Sequence, residues 1–451
     1  MKKYDVIVIG GGISGLGVAA LLSNKGYRTI LLEKESILGG RCTSFQYRGY
    51  TVDTGLHAVA SYSSSGIGRM LAEVGAQLEL MPIKPSLMHY DLDTRRYMRA
   101  TSPERFGEAL YRDFKELVKT VAKMGKEEIN GYHTVSAAIW ILDRFKNEAL
   151  LEFFKKITGF AGQPMEKVSA GAFLETLNDA FNSEATITYP HGNGIKALPD
   201  ALERAILQKG GEIVTEVGVQ KILQRKNRIV GVQAKVIRPS FMADVELHAP
   251  AVVFTIPLEL LPKFLSRKNI PAELLAKIER ITHERYYYTG LIAGVPKSAM
   301  DSEGEKFFQW TVDRPGMDWH AIITAPTQMD PQLAPPGRHL LFIDSHGPMP
   351  YGDDGIARRR QDELADMLNE IWPGFTQKVD WLHRVIYPNV LPLAQISLTG
   401  PYRPGFSIPG LKGMYLAGDA TYLTGSGIGS TVKSAYGCIE EIERGNFLAK
   451  R

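Results

Sequence analysis

The chain has 451 residues, 44% of them hydrophobic and 23% charged, so it can bury sizeable cores and lies far from the composition of a disordered chain. Its 53 Lys and Arg against 49 Asp and Glu leave a formal charge of +4, too small an excess at this length to mark a nucleic-acid-binding surface. The two cysteines, Cys42 and Cys438, exclude a disulfide framework and any Cys-rich zinc or iron–sulfur centre, and make a reducing cytosol the default compartment.

The first apolar run, Val6 to Ile9, is only four residues long before glycines interrupt it, too short for the core of a secretion signal. It is β-branched and shows no polar alternation, which predicts a strand buried on both faces of a parallel sheet. Gly10, Gly12 and Gly15 follow with GxGxxG spacing, and Ile13 to Asn24 carries a helical period. In such a unit the first glycine permits the turn, the second lets backbone approach a pyrophosphate, and the third allows close helix–strand packing. The helix start at Ile13 and Ser14 then faces the phosphates. Gly26 punctuates the helix end, Arg28 to Leu32 reads as the next strand, and Glu33 follows 23 residues after Gly10. A carboxylate there accepts ribose hydroxyls and repels a 2′-phosphate, so the unit predicts a bound dinucleotide other than NADP.

Three further passages decide which dinucleotide. KESILGGRCTSF carries Lys34, a second glycine pair at Gly39 and Gly40, then Arg41, Thr43 and Ser44. VDTGLH carries Asp53, Gly55, Leu56 and His57. GMYLAGDATYLTGSGIGSTVKSAYGCIEEIE reads as a strand, Gly418 and Asp419, a glycine-rich loop ending in Gly427, Ile428 and Gly429, and a helix. Together they resemble the FAD-dependent phytoene desaturase and flavin-containing amine oxidase superfamily. The resemblance reaches from Tyr4 to about Glu443, although its specific motifs fill only a fraction of that length.

What the resemblance implies is FAD as cofactor and an α/β fold, in which a Rossmann-type FAD-binding domain is interleaved with a substrate domain of mixed sheet plus helices. It implies that Asp419 meets the ribityl chain, that the backbone at Gly427, Ile428 and Gly429 faces the pyrimidine end of the ring system, and that Val219 lies by the adenine. Gly55, Leu56 and His57 would border the cofactor as well. On this reading residues 1–101, 189–260 and 401–451 form the FAD-binding domain, 102–188 a helical insertion, and 261–400 the substrate-domain sheet and its helices.

The insertion is expected to be helical from the apolar spacing in FGEALYRDFKELVKTVAKM, VSAAIWILDRF and EALLEFFKKI. Tyr286 to Ile292 and Leu340 to Asp344 read as strands; the tyrosines at 286–288 would either line an apolar tunnel or pack on both faces of a sheet, the second being the simpler reading. His57 could act as an acid or base near the flavin, although the simpler reading is that it satisfies a backbone hydrogen bond; the same pair of readings holds for His191. Cys42 has no CxxC partner and reads as incidental. Lys277 and Lys297 do not align with the lysine that amine oxidases of this superfamily place by the flavin.

No second GxGxxG follows a strand, so electrons are expected to leave to oxygen, a quinone or another diffusible acceptor rather than to a built-in nicotinamide site. The resemblance implies hydride transfer between flavin N5 and an apolar, isoprenoid- or carotenoid-like substrate, although the Gly429–Ser430 pair replaces the proline usual in desaturases. Two alternatives stay open: a flavin amine or amino-acid oxidase that releases hydrogen peroxide, and a non-catalytic prenyl-binding protein on the same fold. No metal and no nucleic acid are expected. No apolar run is long enough to span a bilayer, so the protein is placed in the cytoplasm, with peripheral contact to the inner face of the membrane.

Overall fold

A computed structural model describes residues 4–55, 57–61, 66–157, 163–182, 186–238, 241–314, 317, 319–347, 349, 352–423 and 427–445. Leu56, one of the residues expected at the cofactor, lies outside this set.

Val6–Ile9 is buried along its whole length and pairs in parallel with Thr29–Leu32 on one side and Ala251–Phe254 on the other. Glu212–Val214 and Met414–Leu416 complete a parallel sheet of five strands. Numbered by appearance in the chain, its strands run 3-2-1-4-5, the doubly wound order. The order reverses beside the first strand, and the carboxyl edge at that switch point is where such sheets bind ligands. Both faces are covered: Val6 and Val8 pack towards the helices Ile13–Asn24, Ala197–Gln208 and Gly427–Arg444, and Ile7 and Ile9 towards the antiparallel strands Val217–Arg225 and Arg228–Arg238. At about 1.5–3 kcal/mol for each fully buried aliphatic side chain, this short strand is a large local contribution to the core.

The second sheet has seven strands, in the order Trp381–Val390, Tyr286–Pro296, Arg338–His346, His320–Thr324, Gln309–Val312, Met88–Asp91 and Arg96–Arg99. All neighbours are antiparallel except Gln309–Val312 and Met88–Asp91. Its two faces differ. Leu291, Ala293, Leu341, Ile343, Ala321 and Ile323 pack against the helix Asp354–Ile371 through Leu364, Met367, Leu368 and Ile371. On the opposite face Ile292, Leu340, Phe342 and Trp381 pack against Tyr50 and Val52, on the strand Tyr50–Asp53 that begins the VDTGLH passage. The hairpin of Met88–Asp91 and Arg96–Arg99 joins this sheet, so the boundary expected at residue 101 lies beyond a piece of chain that the seven-stranded sheet holds.

The insertion comprises helices Pro103–Lys123, Lys126–Asn130, Ala137–Phe145, Glu148–Ile157 and Ala170–Asn182 around their own cluster of Leu, Phe and Trp side chains. Gly107 breaks the first of them with φ +70°, a departure that the apolar period of the sequence does not register.

One buried histidine makes the second sheet sensitive to acid. His339 lies on the helix-covered face, its Nδ1 2.9 Å from Thr327 Oγ1, and burial followed by the charge of Lys297 depresses its pKa from 6.5 to about 4. The unfolded chain therefore binds an extra proton between those two values, so this contribution to stability is whole above pH ~6.5 and is lost as the pH falls through that window. His339→Gln is expected to flatten the fall of unfolding free energy there by up to about 1.4 kcal/mol per pH unit, read from urea titrations. Parallel slopes for variant and wild type would contradict it.

Candidate functional site

The site begins at the end of the first strand. Gly10 turns with φ +108°, and a Cβ there would lie 2.7 Å from Ile256 Cγ2. A Cβ on Gly15 would lie 1.9 Å from the Gly10 carbonyl oxygen, so only glycine lets this helix sit against the turn. Gly12 behaves oppositely: its backbone is ordinary (φ −71°, ψ 175°), and a Cβ would meet nothing within 4 Å. Gly12 also caps the helix Ile13–Asn24 without any side-chain hydrogen bond, which leaves the first-turn N–H groups pointing at that open space, the arrangement that binds phosphate. Ile13 and Ser14 are both buried in that first turn.

The second glycine pair folds against the first. Gly12 and Gly39 form an isolated bridge, Gly39 N–H donates to the Gly11 carbonyl at 2.8 Å, and a Cβ on Gly40 would touch only the Gly12 Cα. Glu33 accepts from Gly11 N at 2.6 Å and from Glu35 N at 2.9 Å, so its carboxylate braces the turn as well as ending the second strand. Val217 N–H donates to the Glu33 carbonyl at 2.9 Å, which brings Val219 on the following strand into the core beside Leu32. Lys34 is exposed and pairs with Glu35 at 3.0 Å.

The C-terminal passage meets the same edge. Arg41 Nη2 lies 2.8 Å from Asp419 Oδ2, with the Arg41 side chain 74% exposed, so the pair ties the two motifs and faces outward. A Cβ on Gly418, Gly427 or Gly429 would meet nothing within 4 Å. Gly12, Gly418, Gly427 and Gly429 are thus open-faced glycines at two helix starts and one strand end, whereas Gly10, Gly15 and Gly39 are closed in by backbone or side-chain atoms. Ile428 packs onto the core that the first helix also uses.

Asp53 is fully buried and accepts from Ser44 Oγ at 2.7 Å, Tyr189 Oη at 2.8 Å and Ile195 N at 2.9 Å. Burial raises its pKa, and these hydrogen bonds together with His57 pull it back. It holds three chain segments together beneath Gly55, whose Cβ would lie 3.4 Å from the Arg41 carbonyl. Two residues on, His57 stacks on Phe342 with centroids 3.8 Å apart, and its Nε2 lies 3.4 Å from Asp344 Oδ2. His57 is therefore held by a side chain of the second sheet, and the backbone acceptor of the simpler reading is not its partner here.

The other sequence candidates fall elsewhere. His191 is half exposed with Nδ1 3.9 Å from Glu79. Burial pushes the Cys42 thiol up, and its Sγ faces the Ile195 carbonyl. Lys277 pairs with Glu273 and reaches the Pro401 carbonyl at 3.4 Å. Asp344, Tyr387 and Arg403 carry no motif, and sequence reasoning missed them; the one available signal was a lone acid inside the apolar strand HLLFIDSH.

A profile of the flavin containing amine oxidoreductases matches residues 13–438. The chain belongs to this family. It is an FAD-dependent oxidoreductase. A prolycopene isomerase of an Oncidium hybrid cultivar is 23% identical over 527 aligned positions, covering 98% of this chain and 84% of that protein. A phytoene dehydrogenase of Streptomyces griseus is 23% identical, covering 92% and 90%. The crystal structure of an oxidoreductase from Methanosarcina mazei superposes with a TM-score of 0.74 at 21% identity, over 97% of this chain and 100% of that one, a likeness of fold. Among the described residues no helix is long and apolar enough to cross a membrane, and no cluster of His, Cys, Asp and Glu could hold a metal.

Proposed function

We propose that this oxidoreductase acts on an apolar, isoprenoid- or carotenoid-like substrate, and that the open-faced glycine line holds its FAD. Gly10, Gly12, Ile13, Ser14, Gly15, Gly39, Gly40 and Arg41 would take the pyrophosphate end, Glu33, Lys34 and Val219 the adenosine end, and Gly55, Leu56, His57, Gly418, Asp419, Gly427, Ile428 and Gly429 the ribityl and ring end. FAD supplies the acceptor for a hydride or electron pair; the protein's own part is to bind, orient and exclude water. The observation that carries the substrate reading is the alignment of 98% and 92% of this chain with relatives named prolycopene isomerase and phytoene dehydrogenase.

The domains would comprise residues 1–87, 189–260 and 401–451 around the five-stranded sheet, and 88–188 and 261–400 with the seven-stranded sheet and the helices, a division that the pairing of Met88–Asp91 with Gln309–Val312 supports. Reduced flavin would return its electrons to oxygen or a quinone. The protein would work in the cytoplasm and touch the membrane through the helical insertion, where Ile139 is 62% exposed.

The test is anaerobic mixing of the flavin-loaded protein with isoprenoid and amine panels, followed by visible absorbance. Bleaching of the flavin by an isoprenoid is expected. Bleaching by amines alone, with peroxide on readmission of air, would replace this reading by an amine oxidase.

A further inference from the structure

The sheet face beside His57 carries more than hydrocarbon. In register across four neighbouring strands stand Tyr387, Tyr288, His346 and His320: Tyr288 pairs with Tyr387, His346 pairs with His320, and the Tyr288 and His346 rings lie 5.1 Å apart. One row further along, Asp344 stands opposite Gly290, where a Cβ would come within 2.6 Å of Asp344 Oδ1. The absence of a side chain on Gly290 is what leaves room for this carboxyl group. Tyr288 reaches this face by regular alternation from Ile292 and Gly290.

Three polar atoms on this face have no hydrogen-bond partner among the described residues: His57 Nδ1, Asp344 Oδ1 and Tyr387 Oη. Asp344 is 6% exposed, and the His57 and Tyr387 rings lie 6.3 Å apart. Leaving buried donors and acceptors unmatched costs about 1–3 kcal/mol each, and three of them in one place mark a position built for a polar group. The rest of the row is kept neutral by burial, which lowers the His346 pKa and raises those of Tyr288 and Tyr387.

We infer that this row receives a hydroxyl on the substrate, so that the ligand is an isoprenoid alcohol and not a pure hydrocarbon. His57 Nδ1 accepts a hydrogen bond from the hydroxyl, and Tyr387 Oη donates to the hydroxyl oxygen. In this arrangement Nε2, which lies 3.4 Å from Asp344 Oδ2, carries the proton, and Nδ1 keeps its lone pair for the ligand. Asp344 is thereby a positioning residue, and His57 is the group that touches substrate. The step requires no other reactant: as the O–H bond weakens, its proton moves to Nδ1 and the electron pair stays on oxygen. A neutral hydroxyl donates to Nδ1 and accepts from a phenol, which matches His57 and Tyr387 together.

This inference rests on the isoprenoid reading above, and the experiment separates the two. Equilibrium dialysis of the flavin-loaded protein would compare geranylgeraniol, the corresponding amine, and the hydrocarbon of the same chain without its hydroxyl. The alcohol is expected to bind about tenfold or more tighter than the hydrocarbon, the gain from one hydrogen bond into a buried polar site. Tyr387→Phe should reduce that ratio while leaving hydrocarbon binding in place, and Asp344→Asn should reduce it through His57, so the result does not depend on one variant folding. In Asp344→Asn the side-chain amide donates to Nε2, and the imidazole nitrogen shifts of His57 should report the proton moved to Nδ1. Equal binding of alcohol and hydrocarbon to a yellow protein overturns the inference and leaves the isoprenoid reading intact. Preference for the amine also overturns it. Failure of both isoprenoids to bind overturns the two together.

Discussion

Replacing Gly12 by valine is expected to give a folded, colourless protein. The backbone of Gly12 is one that any residue adopts, and a Cβ there meets no atom within 4 Å, so the apoprotein has no reason to resist the change. What valine removes is the open space before the uncapped first turn of the helix Ile13–Asn24, where N–H groups and helix dipole together would hold a pyrophosphate. Flavin affinity should fall at least ~100-fold, about 2.7 kcal/mol, while far-UV circular dichroism and the melting temperature of the apoprotein stay near wild type. Gly15→Val is the control of opposite kind. Its Cβ would stand 1.9 Å from the Gly10 carbonyl and 2.8 Å from Thr255 Oγ1, so the helix would have to leave the sheet and the protein should be recovered insoluble. A Gly12→Val protein with full flavin content would remove the cofactor's phosphates from this turn.

That contrast also shows how far the sequence could be read. Spacing alone marks Gly10, Gly12 and Gly15 because the turn is local, and the apolar run at Val6–Ile9 announces a parallel sheet because both its faces are buried. The facing of Arg41 and Asp419, 378 residues apart, was legible only through motif resemblance. The polar row was not legible at all. Whether Tyr288 meets His346, and whether Asp344 meets His57, depends on strand register, and a shift of one residue would send each of these side chains to the opposite face. The hairpin Met88–Arg99 was misplaced for the same reason: nothing in its residues says which sheet will accept its edge. Arg403 carries the least signal. In RPGF it reads as a loop charge, yet it is fully buried, and charged residues are so placed only when every donor finds a partner.

Arg403→Met is expected to destabilise the protein by ~3–5 kcal/mol and to loosen its hold on flavin. The guanidinium donates from Nε to the Leu398 carbonyl at 3.0 Å, from Nη1 to the Asp419 carbonyl at 2.8 Å, and from Nη2 to the Leu393 carbonyl. Burial lowers its pKa to about 9, with Asp419 and Glu175 opposing the shift, so it remains a cation at neutral pH. Methionine preserves most of the volume but strips the donors from these carbonyls, and burying an unmatched carbonyl costs about 1–3 kcal/mol. Lysine keeps the charge but cannot reproduce the planar fork, and should recover only part of the loss. Because one of the three bonds ends on Asp419, the segment that pairs with Arg41 loses its anchor together with the loop around Thr399 and Gly400. Flavin should therefore be released at lower urea than in wild type, ahead of or together with global unfolding. Urea titration followed in parallel by flavin fluorescence and circular dichroism measures both. An Arg403→Met protein within about 1 kcal/mol of wild type would mean that the three carbonyls find other donors, and that Asp419 is positioned without this arginine.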